Sequence, residues 1–460
     1  MEKLEKLFSS LKKEKNKRLN RLSSSHIIAI GYFAIILLGA ILLMLPVSSK
    51  GHSPSFLDAM FTAASATCVT GLAVFDTYTQ WSVFGQVVII LLIQVGGMGF
   101  MTILSLTAMA TGRRIGLKER SVLQESVNGM QLGGIVRLVR RIAAGTLMFE
   151  GIGAVLLAIR FIPKMGLPEG IGNAVFMSIS AFCNAGFDLN GKYGEYSSLC
   201  EFADDPLICL TVCALVLIGG IGFSVWDDIA KNKLNFSAYR LHSRLALSVT
   251  AILTVVGTIL FFVFERDFTN AGFGVGQSLL NSLFDSVTPR TAGFNTVDTA
   301  SLSPASTILT IILMFIGGSP GSTAGGVKTV TIAVAFYATI AKMNNSADIE
   351  VAHRRLEEDV TGKAMTVIAF NLVIVLTGIL CISAAQPLLS LTDVVFEGFS
   401  AINTVGMTTG ITRELIPFSR AVIIVLMYCG RVGSVSFALI FTRTKKFTGI
   451  HNPVEQVSVG

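Results

Sequence analysis

Charge is scarce in this 460-residue chain. Asp, Glu, Lys and Arg make up only 14% of it, against 52% apolar residues and a mean hydropathy of +0.68. An ordinary soluble domain carries roughly 25% charged residues. Too little charge remains to cover a water-facing surface, which excludes soluble globular, disordered and coiled-coil architectures. Paired cysteines are missing as well. The seven, at 68, 183, 200, 209, 213, 381 and 429, form no CxxC pair and several fall in apolar runs, so neither a disulfide framework nor a zinc site is expected. The five histidines stand singly, as surface or packing residues. No strand–GxGxxG–helix unit provides a nucleotide-binding domain, and no His/Asp/Glu constellation inside the apolar runs suggests an enzyme. No cleavable signal is expected: the basic stretch from Met1 to Arg21 is too long and too charged for one, and the apolar run behind it can span.

Apolar runs and glycine are what the chain has in excess. Eight segments are long enough to cross a bilayer, near 26–47, 81–110, 137–161, 206–226, 244–264, 305–340, 364–386 and 418–441. Between the two spans of each pair lies a shorter, half-apolar stretch rich in Phe, Ser, Ala and Asn. It is too short to span and too apolar for an aqueous loop, which fits a re-entrant segment. The 44 glycines suit close helix crossings and breaks that line a cavity.

Basic residues collect on one side. Segments 1–25, 111–141, 227–244, 341–363 and 443–460 hold 26 of the 36 Lys/Arg, which puts both termini in the cytoplasm. The two sides carry net charges of +13 and −6, so the outer face would concentrate cations. The basic N-terminal segment (Lys12, Lys13, Lys15, Lys17, Arg18) fits a seat on anionic headgroups, not nucleic acid.

Registering the glycines exposes a fourfold repeat. The re-entrant stretches read Ser65-Ala-Thr-Cys68-Val69-Thr70-Gly71, Ser180-Ala-Phe-Cys-Asn184-Ala185-Gly186, Val287-Thr-Pro-Arg-Thr291-Ala292-Gly293 and Ser400-Ala-Ile-Asn403-Thr404-Val405-Gly406. Their glycines are 115, 107 and 113 residues apart, and Phe61, Phe176, Phe284 or Phe396 precedes each by nine or ten positions. A second register lies inside the next span: Gly96-Gly97-Met98-Gly99, Gly219-Gly220-Ile221-Gly222, Gly317-Gly318-Ser319-Pro320-Gly321 and Gly430-Arg431-Val432-Gly433. An even number of spans separates one copy from the next, so the repeats are parallel and related by an axis along the membrane normal.

Four such short helices around an axis would aim their partly negative C-terminal ends at it. The extended residues that follow would offer rings of carbonyl oxygens able to replace a cation's hydration shell, with glycine permitting the backbone torsions. The expected lining is therefore Cys68, Val69, Thr70, Gly71, Asn184, Ala185, Gly186, Thr291, Ala292, Gly293, Asn403, Thr404, Val405 and Gly406. The alternative is that these glycines only make tight turns or packing contacts.

With these motifs the chain resembles the membrane subunits of the Trk/Ktr/HKT superfamily of potassium transporters, over residues 26 to 445. It is more similar to the Ktr-type, KtrB-like subunits than to Trk-type ones, which usually carry extra N-terminal spans. The resemblance implies an all-α polytopic protein of four fused M1-P-M2 units (span, pore helix, span) around a pseudo-fourfold pore. It also implies potassium preference, because glycine stands at the filter position in all four units, whereas serine in the first marks sodium-preferring relatives. It further implies a homodimer seated on a cytoplasmic, KtrA-type ring of nucleotide-binding subunits. The loops 111–141 and 227–244 and the C-terminal tail would offer the docking surface. No covalently bound cofactor is expected; K⁺ is the transported ion and Na⁺ a candidate coupling or activating ion.

The second span of the third unit is broken. Gly317, Gly318, Ser319, Pro320, Gly321, Ser322, Thr323, Ala324, Gly325 and Gly326 cannot form a continuous helix. A phosphate-binding loop is rejected, since Val327 stands where that motif needs glycine before Lys328 and no strand precedes it. An interruption below the filter is a candidate gate, the alternative being a helix kink at a crowded crossing; in the family this loop is regarded as the gate. Arg431 replaces the second glycine of the fourth cluster. A charge at that depth is costly and faces a polar interior, so it is expected beneath the filter, raising the barrier for a cation, or else in a salt bridge such as one to Glu150. Lys328 is expected to act similarly. Asp58, Asp285, Asp393 and Glu397, in or near the re-entrant helices, could attract cations or cap helix N-termini, capping being the expected role for most.

The chain thus divides into a basic N-terminal segment (1–25), a first repeat (26–110), a cytoplasmic loop with the second repeat (111–230), a third repeat with the broken span (231–342), a fourth repeat (343–442) and a tail (443–460). The expectation is a multi-pass cell-membrane protein for potassium uptake, not an enzyme. A channel, a uniporter and a symporter would share this sequence. The competing reading is a secondary transporter of a small anionic solute, which the parallel repeats and carbonyl-end geometry disfavour.

Overall fold

Four long apolar helices stand as the first spans of four similar units: α1 (Ser24–Leu43), α6 (Ile135–Met165), α10 (Leu241–Phe264) and α14 (Glu358–Ala385). The computed structural model describes residues 23–111, 116–126, 134–233, 235–346, 348–352 and 354–433. Most of the basic N-terminal segment, part of the loop 111–141 and the whole tail 443–460 lie outside the described residues. Large apolar side chains on these spans face outward, among them Leu38, Leu147, Val155, Val263 and Leu380. In water such a surface would be a liability; against hydrocarbon it is the required one.

Each first span is followed by a short helix: α2 (Phe56–Cys68), α7 (Leu167–Phe182), α11 (Val275–Val287) and α15 (Leu391–Ile402). These hold the phenylalanines of the repeat, and Phe61, Phe176, Phe284 and Phe396 are all buried. The second spans begin with α3 (Val83–Met98), α8 (Pro206–Gly220), α12 (Pro304–Phe315) and α16 (Pro417–Val432). Their starts carry caps that the sequence encodes directly. Ser82 accepts from the amide of Gly85, Asp205 from those of Leu207 and Ile208, and Ser303 from that of Ser306, with proline at the first helical position in α8, α12 and α16. The architecture is the expected one: among the described residues it is all-helical but for a two-stranded hairpin, Glu350–Val351 with Arg354–Arg355.

Packing closes the units into a ring. Each second span packs on the short helix of the next unit: α3 on α7, α8 on α11, α12 on α15, and α16 back on α2. An ion pair fastens this last junction, where Arg420 Nη1 lies 2.5 Å from Asp58 Oδ1 and the two side chains are only 19% and 12% exposed.

Two second spans differ from expectation. The segments 81–110 and 206–226 read as continuous spans, yet α3 turns by 96° into α4 (Phe100–Ala110) and α8 by 95° into α9 (Phe223–Asn232). The turns sit at Gly99 (φ +79°) and Gly222 (φ +97°), the last glycines of their clusters, where a side chain would oppose the left-handed backbone. Hydropathy does not register the bend because both arms are apolar near it. The third unit lacks helix between α12 and α13 (Thr329–Met343), as expected for the broken span.

Arg420→Gln should lower the unfolding free energy by about 1–3 kcal/mol, less than the roughly 3–5 kcal/mol of a fully buried pair because both groups keep some contact with water. Thermal melting in detergent checks this, and Asp58→Asn added to Arg420→Gln should cost little more.

Candidate functional site

Three of the four short helices, α2, α7 and α15, end alike, and α11 reaches the same left-handed turn by another route. Val69, Asn184 and Thr404 follow α2, α7 and α15 with φ of +59°, +59° and +51°, and Thr291 takes +71° in the third unit. Behind each of the first three conformations stands a paired hydrogen bond. The amides of Thr70, Ala185 and Val405 donate to the carbonyls of Ser65, Ser180 and Ser400 at 2.8 Å, while those of Val69, Asn184 and Thr404 donate to Ala66, Ala181 and Ala401. This is the Schellman ending, built on non-glycine residues whose left-handed torsions cost about 1–2 kcal/mol each. Ser65 and Ser400 Oγ then accept from the amides of Gly71 and Gly406 at 3.1 Å, and Ser180 Oγ from that of Phe187 at 3.0 Å. The third unit has Val287 there, and Thr288 Oγ1 donates to the Phe294 carbonyl instead.

Two residues later each unit reaches its glycine, again with positive φ: +97°, +70°, +81° and +95° at 71, 186, 293 and 406. Thr70, Ala185, Ala292 and Val405 between them keep the ordinary sign. Alternating the sign of φ turns successive peptide planes so that their carbonyls share one side, which a regular strand cannot do.

The four glycines converge. A Cβ built on Gly71 would lie 2.7 Å from the carbonyl oxygen of Ala185 and 3.0 Å from the Cα of Gly186. One on Gly186 would lie 2.9 Å from the Ala292 oxygen and 3.2 Å from the Gly293 Cα. On Gly293 it would overlap the Val405 oxygen, and on Gly406 the Thr70 oxygen, closing the circle. The ring therefore runs 71, 186, 293, 406 and back, each glycine against the carbonyl preceding the next. The hydroxyls of Thr70 and Thr404 and the Asn403 carboxamide oxygen are buried here without a hydrogen-bond partner among the described residues.

The second glycine register supports the ring from outside. A Cβ on Gly96, Gly219 or Gly430 would strike the carbonyl oxygen of Thr67, Phe182 or Ile402 in the last turn of a short helix. Glycine there lets each second span press on the turn that carries the ring.

Below the ring lies the broken segment. Its neck is closed by Gly317 N to Val327 O at 2.9 Å and Thr329 N to Gly318 O at 3.0 Å. Its body leans on the second unit: Ser319 and Thr323 amides donate to Gly220 and Gly219, and the Phe223 amide donates to Gly321 at 2.8 Å. Thr323 Oγ1 reaches the Phe182 carbonyl at 3.3 Å and Asn184 Oδ1 at 3.2 Å, directly behind the ring. A Cβ on Gly325 would overlap Thr404 Oγ1, and one on Gly326 would lie 3.1 Å from Asn403 Oδ1. Ser322 Oγ donates to Ser319 O within the loop. Pro320, Ala324, Lys328 and Arg431 line a cavity of about 370 Å³ beside it.

Arg431 finds carbonyls, not a carboxylate. Nη1 donates to Thr323 O at 2.5 Å, and Nη2 to Gly96 O and, at 3.4 Å, Gly97 O. One side chain of the fourth unit thus ties the first unit to the broken loop of the third. Glu150 instead accepts from Gln94 Nε2 at 3.3 Å, and no ion pair joins it to Arg431 among the described residues. Lys328 braces the loop from within, its Nζ donating to Ala324 O at 2.6 Å and Gly325 O at 3.2 Å.

None of the four acids named from the sequence caps a helix amide with its carboxylate among the described residues; Asp58 accepts from Ser55 Oγ and Arg420 instead. Asp58 and Asp393 lie in the first turns of α2 and α15. Asp285 is buried in the last turn of α11 and Glu397 in the middle of α15, where Glu397 accepts from Thr412 Oγ1 behind the fourth strand of the ring. Sequence reasoning passed over Arg290, which directly precedes Thr291. It is 4% exposed and turns away from the ring to Thr250 O and the hydroxyls of Thr250 and Thr254 at 3.1–3.2 Å. An arginine beside a filter-like triplet was the signal.

Comparison with known proteins follows this geometry. The family model TrkH, cation transport protein, matches residues 4–448. The chain is 40% identical over 457 residues to Ktr system potassium uptake protein B of Bacillus subtilis, covering 98% of this chain and all of that one. It is 38% identical over 447 residues to potassium/sodium uptake protein NtpJ of Enterococcus hirae, covering 96% and 98%. The crystal structure of the potassium transporter TrkH from Vibrio parahaemolyticus superposes with a TM-score of 0.75 at 19% identity, over 92% of this chain and 86% of that one, a likeness of fold.

Alanine at the ring glycines should harm cation flux in a defined order. Gly186→Ala, whose Cβ would sit 2.9 Å from the nearest oxygen, is the mildest and Gly406→Ala, with outright overlap, the most severe. Rubidium uptake into cells expressing each variant at matched levels measures this.

Proposed function

The chain belongs to the TrkH family of cation transport proteins, and from that premise we propose that it takes up potassium through the ring formed by Gly71, Gly186, Gly293 and Gly406. The observation that carries this reading is the closed circuit in which every ring glycine faces its neighbour's carbonyl oxygen. Main-chain oxygens at this depth have no water to satisfy them, and a cation that sheds its hydration shell does so in their place. The Thr404 hydroxyl and the Asn403 carboxamide oxygen, without a hydrogen-bond partner among the described residues, face the broken loop just below the ring and add polar groups there. The short helices bring the negative ends of their dipoles to the ring without placing an anionic side chain in the path.

The broken loop is the gate of this reading, and Arg431 is its latch. Closed, the guanidinium holds the loop's Thr323 carbonyl to the Gly96–Gly97 turn and leaves a positive charge beside the route. Opening requires Thr323 of the loop to leave Phe182, Asn184 and Arg431 together, so the barrier is shared between charge and hydrogen bonds. Lys328 keeps the loop folded as a unit while it moves.

Both termini lie in the cytoplasm on the charge distribution. The relatives named for a Ktr system support a protein that works with a cytoplasmic subunit. A homodimer on a nucleotide-binding ring of KtrA type, docked through the basic loops, fits that support. Sodium serves as coupling or activating ion. An anionic solute is disfavoured because the short helices present C-terminal, not N-terminal, ends to the centre.

Expression in cells lacking potassium uptake should restore growth at low potassium, with sodium present or withheld; absence of rescue together with anion uptake would overturn the reading. Gly71→Ser should lower the preference for potassium over sodium in the same cells. Arg431→Ala should raise uptake when the regulatory subunit is absent, while Arg431→Lys, which cannot fork between two carbonyls, should fall between. Unchanged flux in Arg431→Ala would remove the latch.

A further inference from the structure

Away from the ion route, an apolar cleft of about 460 Å³ opens between α6 and α9. Helix α9 leaves α8 at 95°, so it lies along the plane through which α8 passes. It presents Phe223, Trp226, Ile229 and Ala230 to the cleft, opposite Ile142 and Met148 of α6. Gly145 makes the room: a Cβ there would lie 2.9 Å from the Trp226 ring. The indole Nε1 donates to Ile218 O at 3.0 Å, so the one polar atom of that side chain is satisfied inside, and the ring packs with Phe149, Phe182 and Phe223 into an aromatic wall that borders the cleft.

Charge gathers at one end of the cleft. Arg141 and Lys231 share the carboxylate of Asp227, yet remain 61% and 54% exposed, and the trio keeps a net positive charge. Arg137 and Arg140 are exposed on the turn of α6 before it. An in-plane amphipathic helix with tryptophan on its apolar side and basic residues at its edge sits at the boundary between headgroups and acyl chains.

We propose that this cleft binds an anionic phospholipid of the inner leaflet, with an acyl chain along Trp226 and Met148 and the phosphate against the exposed sides of Arg141 and Lys231 that Asp227 does not occupy. The occupant follows from the division of chemistry: hydrocarbon walls closed by a cationic end match a lipid, and the uncompensated charge selects an anionic one. The word inner rests on the orientation proposed above; the site itself does not depend on which ion is carried. The bound lipid also bears on the gate. Phe223 lines the cleft and its amide holds Gly321 of the broken loop at 2.8 Å, so a lipid that fixes α9 fixes one anchor of that loop.

Native mass spectrometry of the full-length protein, with dioleoyl phosphatidylglycerol or dioleoyl phosphatidylcholine added to detergent, tests the site. Phosphatidylglycerol should bind more tightly, and Arg141→Gln and Lys231→Gln should each weaken it by about fivefold, the worth of one basic group near a phosphate. Ala230→Phe, which fills the cleft, should lower retention of both lipids. Melting temperatures in lipid-free detergent check that the variants fold, and the rise on adding phosphatidylglycerol should shrink in all three. Equal retention across variants, or equal affinity for the two lipids, would overturn the proposal. So would an Ala230→Phe protein whose oligomeric mass changes while its lipid binding does not, because the cleft would then belong to a protein contact. Lipid is counted by mass, so a chain that binds it normally but moves no rubidium would refute the transport reading alone.

Discussion

Four main chains can meet at one point only where none of them carries a side chain. That steric condition governs this protein. Each of Gly71, Gly186, Gly293 and Gly406 stands so close to a neighbour's carbonyl that a single added carbon would intrude on it. Torsions two residues earlier are strained to bring the chain there, and Val69, Thr291 and Thr404 hold left-handed conformations that β-branched residues otherwise avoid. The strain persists because the surroundings over-determine it. Schellman hydrogen bonds, serine hydroxyls on the following amides and second spans pressed against the final helical turn all fix the same few residues.

The units share this plan and then diverge. The first two turn their second spans sharply at Gly99 and Gly222, and the third abandons helix for thirteen residues between Phe315 and Thr329. The fourth substitutes arginine for a glycine. These departures meet in one place, since the loop of the third unit rests on Gly219 and Gly220 of the second and is held by Arg431 of the fourth against the first. Regularity makes the ring; irregularity makes what lies below it.

The repeat and its convergence were legible because they depend on glycine, a residue whose position carries a backbone meaning. The spacing of 71, 186, 293 and 406, with a phenylalanine before each, marks a periodic constraint that hydropathy alone would miss. The bends at Gly99 and Gly222 were not legible, since apolar character continues through them and only a torsion distinguishes turn from span. Arg431 was recognised as unusual, but its partners were not. A search for opposite charge leads to Glu150, whereas the guanidinium is satisfied by carbonyl oxygens that every residue possesses and no sequence advertises. Asp285 and Glu397 were misread as caps for a similar reason: their distance from a helix start is set by where α11 and α15 begin, which the sequence marks only loosely.

Because the four quadrants are encoded separately in one polypeptide, a substitution alters one side of the pseudo-fourfold axis and leaves three untouched. In an assembly of identical subunits, any change to the aperture is made four times over, and most such changes would be ruinous. Here the third and fourth quadrants could acquire a loop and a cation below the ring while all four kept their carbonyls in it. Fusion therefore converts a symmetric pore into one whose parts can specialise independently.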